Sequence, residues 1–167
     1  SFIFGGIPVD NASAKLEFKD DSLKLKGITG KIFGGDAAIE YSYDFKNGAG
    51  AISMDLSKAD YTSFLEALDI KMKEVQRRGD LTCRLESQFL CTKEGLQMGG
   101  KGSVLIKDAE IWRVPPFRGL ADLLKKAEIR LDWDEVNKIS CDFTLKKDHA
   151  ETKNIKTDGK IISLEGE

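Results

Sequence analysis

With 167 residues and only 3 Pro, the chain is long enough for one domain with a real core and too short for two comfortable ones. Its 26 Lys and Arg nearly balance 28 Asp and Glu and are interspersed along the chain; the absence of a basic stripe interleaved with aromatics argues against a nucleic-acid groove. The uninterrupted apolar runs span only a few residues, against the ~20 needed to cross a bilayer as a helix.

No signal-peptide pattern opens the chain, Ser1 stands first, and Ser163 to Glu167 close it in strand-like sequence. The expectation is a single domain over residues 1–167 excised from a longer protein, with any targeting segment elsewhere. The 3 cysteines, Cys83, Cys91 and Cys141, are widely spaced. Cys83 and Cys141 fall on the apolar side of alternating stretches, which predicts buried free thiols behaving as small hydrophobes. A Cys83–Cys141 or Cys83–Cys91 disulfide is the alternative, and it would imply an oxidising compartment.

Taken in chain order, Ser13 to Phe18 alternates, with Ala14, Leu16 and Phe18 on one face and Lys15 and Glu17 on the other. Asp20-Asp21-Ser22 is turn chemistry and Leu23 to Leu25 resumes the alternation, which predicts a hairpin. Gly27, Gly30, Gly34 and Gly35 then interrupt a β-type pattern, as at bulges. Ala37 to Phe45 is the cleanest strand, with Ala37, Ile39, Tyr41, Tyr43 and Phe45 pointing one way. Asn47-Gly48 closes it as a tight hairpin whose two residues tolerate positive φ, and Ala51 to Leu56 returns with Ile52, Met54 and Leu56 inward.

The period then changes. Tyr61, Phe64, Leu65 and Leu68 fall on one helical face, capped by Ser57 or Asp60, and Gly79 is expected to end the segment. Leu81 to Phe89 alternates as a strand, Thr92 to Gly95 turns, and Leu96 to Met98 starts back. Gly99 to Ala127 follows: a glycine-broken entry, a strand ending near the turn-like pair Asp108-Ala109, and an extended Glu110 to Val114. Pro115-Pro116 then stops the chain, and Phe117, Leu120, Leu124 and Ala127 line one face of a helix that starts at the prolines. Ile129 to Trp133, Ile139 to Leu145, Ala150 to Ile155 and Lys160 to Leu164 read as further strands. The fold expected is mainly β with two short helices: a long, strongly coiled, groove-like antiparallel sheet with the helices packed on it. A faint echo of strand, polar turn, strand and glycine at Leu16–Ile32, Leu85–Ile106 and Phe143–Ile162 is compatible with a repeated sheet unit.

Chemistry is harder to find. Gly95 to Lys101 fits the first part of a phosphate-binding loop, but Gly102 replaces the required Ser or Thr and strand-forming Val104 to Ile106 replaces the helix. The single histidine, His149, sits beside Lys146, Lys147 and Asp148 and is expected to be exposed rather than a general base. No Cys/His spacing suits zinc, and the acidic clusters Asp20-Asp21 and Asp132-Asp134-Glu135 read as turns rather than calcium loops. Gly119 to Lys126 lacks the aromatic content and dense basic face of a membrane-surface helix. No cofactor is expected.

The run Gly100-Lys-Gly102-Ser-Val-Leu-Ile-Lys-Asp108-Ala-Glu-Ile-Trp-Arg-Val-Pro115, followed by Phe117 and Leu120 to Leu124, resembles the C-terminal region of the AsmA-like envelope proteins of Gram-negative-type bacteria. Met54 to Leu68 with Gly79 to Leu81, and Trp133 to Glu167, are similar to the flanking parts of that family in order; Ala109 departs from its usual glycine. The resemblance implies a coiled sheet whose concave apolar face forms a groove, an inner-membrane anchor outside this stretch, a periplasmic location, and a link to outer-membrane assembly or phospholipid traffic. It implies no active-site residues.

The sequence-level expectation is therefore a non-enzymatic envelope domain whose partners are lipid or other envelope proteins, not nucleic acid. The candidate groove-lining residues are Ile39, Tyr41, Tyr43, Ile52, Met54, Phe117, Leu120 and Leu124. The alternatives are a structural or protein-interaction module that binds through a sheet edge, and a hydrolase on a β scaffold, which would need carboxylates or His149 to converge in one pocket.

Overall fold

The computed structural model describes residues 2–4, 6–67, 78–109, 138–147 and 149–157. Among the described residues, nine strands form one sheet in which each pairs antiparallel with its neighbours in sequence order. They are β1 (Phe2–Phe4), β2 (Ile7–Lys19), β3 (Ser22–Ile32), β4 (Gly35–Asp44), β5 (Ala49–Asp60), β6 (Arg78–Thr92), β7 (Gly95–Ala109), β8 (Lys138–Leu145) and β9 (Ala150–Thr157). This meander is what short turns between alternating strands dictate, since only antiparallel neighbours can be joined by tight hairpins. Among the described residues one helix, α1 (Tyr61–Ala67), follows β5.

Period-2 alternation separates two faces. On one, Ile39 stands opposite Met54, Met54 opposite Leu85, and Tyr41 opposite Ile52. That face carries the core, in which Val9, Ile28, Ile39, Leu56, Ala59 and Leu81 are almost fully buried. On the other, Asp55, Arg84, Ser103 and Asp142 follow one another across β5 to β8.

Several turns use the chemistry expected of them. The register shift between Leu25 and Ile28 spans Gly27, which takes the positive φ of 58° that its missing Cβ makes easy. A second shift, between Leu56 and Ala59, contains Lys58 at φ 55°, a left-handed residue that no glycine announces. In the β4–β5 turn only Gly48 has positive φ, 71°. Asn47 contributes through its side chain instead: Asp44 Oδ1 accepts the amides of Lys46 and Asn47, and Asn47 Oδ1 accepts that of Ala49. Phe45, expected inward at the end of the strand, lies in this turn and is 54% exposed.

Of the two possible caps for α1, Asp60 serves: its Oδ1 accepts the Ser63 amide at 2.7 Å. Tyr61 and Leu65 are buried beneath the helix, and Phe64 meets Phe33 edge-on with ring centroids 6.0 Å apart.

Two expectations change. Gly79 lies inside β6, which begins at Arg78, at φ 69°, where a Cβ would overlap Ala109 of the neighbouring strand, so its glycine serves a close strand contact rather than the segment boundary expected there. β7 ends at Ala109, where the strand is expected to end, but Asp108-Ala109 belong to the strand rather than to a turn: Ala109 pairs with Arg78 and is 3% exposed. Asp108 holds φ 54° within that strand. Leu68, Glu110 to Val114, the helix expected over Phe117 to Ala127, the strand over Ile129 to Trp133 and that over Lys160 to Leu164 lie outside the described residues.

Candidate functional site

The apolar face changes character along the strands. At the α1 end it is closed, with Ile28 and Ile39 each 1% exposed. At the opposite end, where the β2–β3, β4–β5 and β6–β7 turns lie, Leu16, Phe18, Phe45 and Leu96 are 64%, 67%, 54% and 57% exposed. The ladder puts three of them on the apolar side: Leu16 opposes Leu25, Phe18 opposes Leu23, and Leu96 opposes Cys91; Phe45, in the turn, joins them through its ring contacts with Phe18 and Tyr43. Four exposed large apolar side chains at one end of a face form a surface patch rather than scattered exceptions.

An aromatic cluster lies behind this patch. Phe89 stacks on Tyr41 and on Tyr43 with centroids 5.9 and 6.1 Å away, Tyr43 meets Phe45 edge-on at 5.0 Å, and Phe45 meets Phe18 at 5.9 Å. Gly50, directly opposite Phe89, leaves the space its ring occupies. Burial raises the Tyr41 hydroxyl above the ordinary phenol range. Tyr43 is raised too, first by its hydrogen bond with the Cys91 side chain. Both phenols therefore stay neutral at physiological pH, and the cluster presents rings rather than charge.

The structure gathers Ile39, Tyr41, Tyr43, Ile52 and Met54 on this face in adjacent β4–β5 positions. Ile39 belongs to the closed core, while the other four are half-buried. Phe117, Leu120 and Leu124 lie outside the described residues. Leu16, Phe18 and Leu96 are not among the groove-lining residues that the sequence suggests. Their alternation is visible there, but their exposure follows from the position of β2 near the sheet edge and from the bare end of the apolar face.

The other face is polar and internally neutralised. Lys31 bonds Asp36 at 2.6 Å, Arg84 Nε donates to Asp55 at 2.6 Å, Lys101 meets Glu86 at 3.3 Å, and Glu17 lies between Lys15 at 3.1 Å and Lys26 at 2.9 Å. These contacts, with Lys26 foremost, hold the Glu17 carboxyl below its usual range. A hollow of about 1080 Å³ on this face runs past Thr29, Asp55, Arg84, Ser103, Ser140 and Asp142. Its walls hold the Lys31–Asp36 and Arg84–Asp55 pairs together with Lys138 and Lys156 and, among the described residues, present no reactive constellation.

The chemistry-bearing residues remain apart. His149 is about half exposed and lies 3.3 Å from Glu151, which also pairs with Lys146. Gly95 to Lys101 belong to β7, whose backbone is committed to the ladders with β6 and β8 rather than to a phosphate cradle. Among the described residues, no three His, Cys, Asp or Glu side chains gather as a metal site, and no helix is long and apolar enough to cross a membrane. The cysteines are free thiols; Cys83 and Cys141 are half-buried, as expected of small hydrophobes, whereas Cys91 is exposed.

Comparison with protein-family models, curated proteins and solved structures finds no match for this chain.

Proposed function

We propose that this domain is a non-enzymatic cell-envelope module of AsmA-like type that shelters phospholipid acyl chains on its apolar sheet face. The observation that carries the reading is the open end of that face, where Leu16, Phe18, Phe45 and Leu96 lie exposed ahead of the Tyr41–Tyr43–Phe89 cluster. Acyl chains match such a surface: they gain from leaving water and need no polar partner. In this reading the sheet is strongly coiled around its apolar side and the segment Phe117 to Ala127 is a second helix lying across it. The domain works on the periplasmic side of the envelope, held by an inner-membrane anchor elsewhere in a longer protein, in outer-membrane assembly or phospholipid transport. The mixed charges, and the lack of a convergent nucleophile and base among the described residues, favour this reading over a hydrolase.

Detergent-free purification followed by native mass spectrometry and lipid extraction tests it. Retained phospholipid is expected, and F18S with F45S should reduce it while leaving the far-ultraviolet dichroism unchanged. A filled core with no bound lipid and no uptake from vesicles would count decisively against it.

A further inference from the structure

Asn47 alone among the asparagines of this chain is followed by glycine. In that dipeptide the amide nitrogen of the second residue can attack the asparagine side-chain carbon Cγ, and glycine leaves the nitrogen unshielded because it carries no Cβ. Asn11 and Asn154 precede Ala12 and Ile155, whose side chains crowd the attacking nitrogen. Asn47 is also exposed, in the turn between β4 and β5, so water reaches it.

The fold engages every participant in that reaction elsewhere. The nucleophile, the Gly48 amide, donates to the Asp44 carbonyl oxygen at 2.9 Å. On the carboxamide to be attacked, Asn47 Oδ1 accepts the Ala49 amide at 3.0 Å. The leaving group, Nδ2, donates to Asp44 Oδ2 at 3.0 Å. Asp44 Oδ1 meanwhile accepts the amides of Lys46 at 2.8 Å and Asn47 at 3.2 Å. The turn is tied outward as well: the Gly48 carbonyl accepts the Cys91 amide at 2.9 Å, and the Phe45 amide donates to the Asp21 carbonyl at 2.8 Å. Cyclisation requires the Asn47 side chain to swing onto the Gly48 nitrogen, which breaks the bonds at Oδ1 and Nδ2. It also requires the Gly48 amide to give up the hydrogen that the Asp44 carbonyl holds.

We infer that Asn47 is a deamidation site that Asp44 holds latent in the folded sheet, and that its conversion loosens the β4–β5 turn. The Gly48 nitrogen loses its proton to solvent base and forms a bond to Asn47 Cγ; the bond from Cγ to Nδ2 breaks, and ammonia leaves a five-membered succinimide. Water then opens the ring at either carbonyl, giving aspartate or isoaspartate with no change of oxidation state. Aspartate at position 47 puts a carboxylate oxygen where Nδ2 now donates to Asp44, so a hydrogen bond becomes a like-charge contact. Isoaspartate adds one carbon to the backbone of the turn and pulls the Gly48 carbonyl away from the Cys91 amide.

Timed incubation of the 167-residue chain at neutral pH, read by peptide mass mapping with chromatographic separation of isoaspartate, tests this. In guanidinium Asn47 should convert at least tenfold faster than in the folded protein, and ahead of Asn11 and Asn154. D44A, shown to be folded by circular dichroism, should convert at least threefold faster than the native protein. Should D44A fail to fold, D44N takes its place with the same expectation, since it keeps an oxygen for the Lys46 and Asn47 amides and loses the carboxylate that binds Nδ2. N47D should lower the urea midpoint, and D44N/N47D should recover it by removing one of the two facing charges. Equal conversion rates in the folded and unfolded chain overturn the inference, as does an unfolded chain in which Asn47 is not the first to convert. A folded position-44 variant that converts no faster than the native protein removes the role of Asp44, and an N47D midpoint equal to the native one removes the loosening of the turn.

Discussion

Gly102 stands directly opposite Phe143 across the β7–β8 ladder, and the phenyl ring lies over the glycine where a side chain would otherwise project. Gly50 and Phe89 repeat the arrangement between β5 and β6. An aromatic ring covering a cross-strand glycine restores the contact area that the glycine lacks and hides its backbone from water.

Adding a methyl group at Gly102 displaces the Phe143 ring and also meets the Arg84 carbonyl oxygen. G102A should therefore cost about 1–3 kcal/mol, the range for overpacking a filled site. Gly99 is the internal control, since a Cβ there meets only the Leu145 carbonyl oxygen at 3.8 Å. G99A should be neutral or stabilise by roughly 0.4–1 kcal/mol through the unfolded chain. Urea midpoints of the two variants should move apart.

Tyr61 is 4% exposed, and burial pushes its phenol up to about 12. The unfolded phenol ionises near about 10. Below that pH the phenol is neutral in both states and the contribution of Tyr61 is complete. Between about 10 and about 12 the unfolded chain loses its proton first, so the folded state loses stability as pH rises. Y61F should flatten this alkaline limb in thermal melts recorded against pH.

Cys83 and Cys141 flank Val104 in the same row, Cys83 opposite it on β6 and Cys141 on β8. Two strand spacings separate their Cα atoms by ~10 Å, beyond disulfide reach of about 4.4–6.8 Å. Burial raises both thiols further above the thiolate range. Timed alkylation of the native protein at neutral pH, read by peptide mass mapping, should modify exposed Cys91 first and Cys83 and Cys141 much later. Rapid modification of all three would show that the β6–β8 region opens readily.

The bond from the Ser63 amide to Asp60 satisfies one of the free donors at the start of α1. D60A should destabilise the domain by about 1 kcal/mol, while D60N retains most of the cap. S57A should have no such effect, because Asp60, not Ser57, accepts this amide. Guanidinium titrations of the three variants separate the two positions.

Local patterning accounts for most of the described strands from Ser13 onward, their faces and several of their turns, whereas β1 and the Ile7–Ala12 part of β2 carry no comparable signal. Alternation over Ala37 to Asp44 and Leu81 to Phe89 is a local property of neighbouring residues, and a strand reports it directly. The hairpin at Asp20-Asp21, the bulge at Gly27 and the helical spacing of Tyr61, Phe64 and Leu65 were legible for the same reason. What depended on the assembled sheet was every relationship across the ladder. Gly102, a break in the sequence pattern, is the cross-strand partner of Phe143; Gly79, a segment boundary in that pattern, is the point where β6 passes close to Ala109. Cys83 and Cys141 shared an apolar face in the sequence, yet Val104 stands between them. Lys58 and Asp108 carry positive φ without glycine, held there by paired strands on either side. The exposure of Leu16 and Phe18 is of this kind too. Their alternation is the same as that of Ile39, but Ile39 has strands on both sides, whereas no described strand lies beyond this part of β2 to cover them.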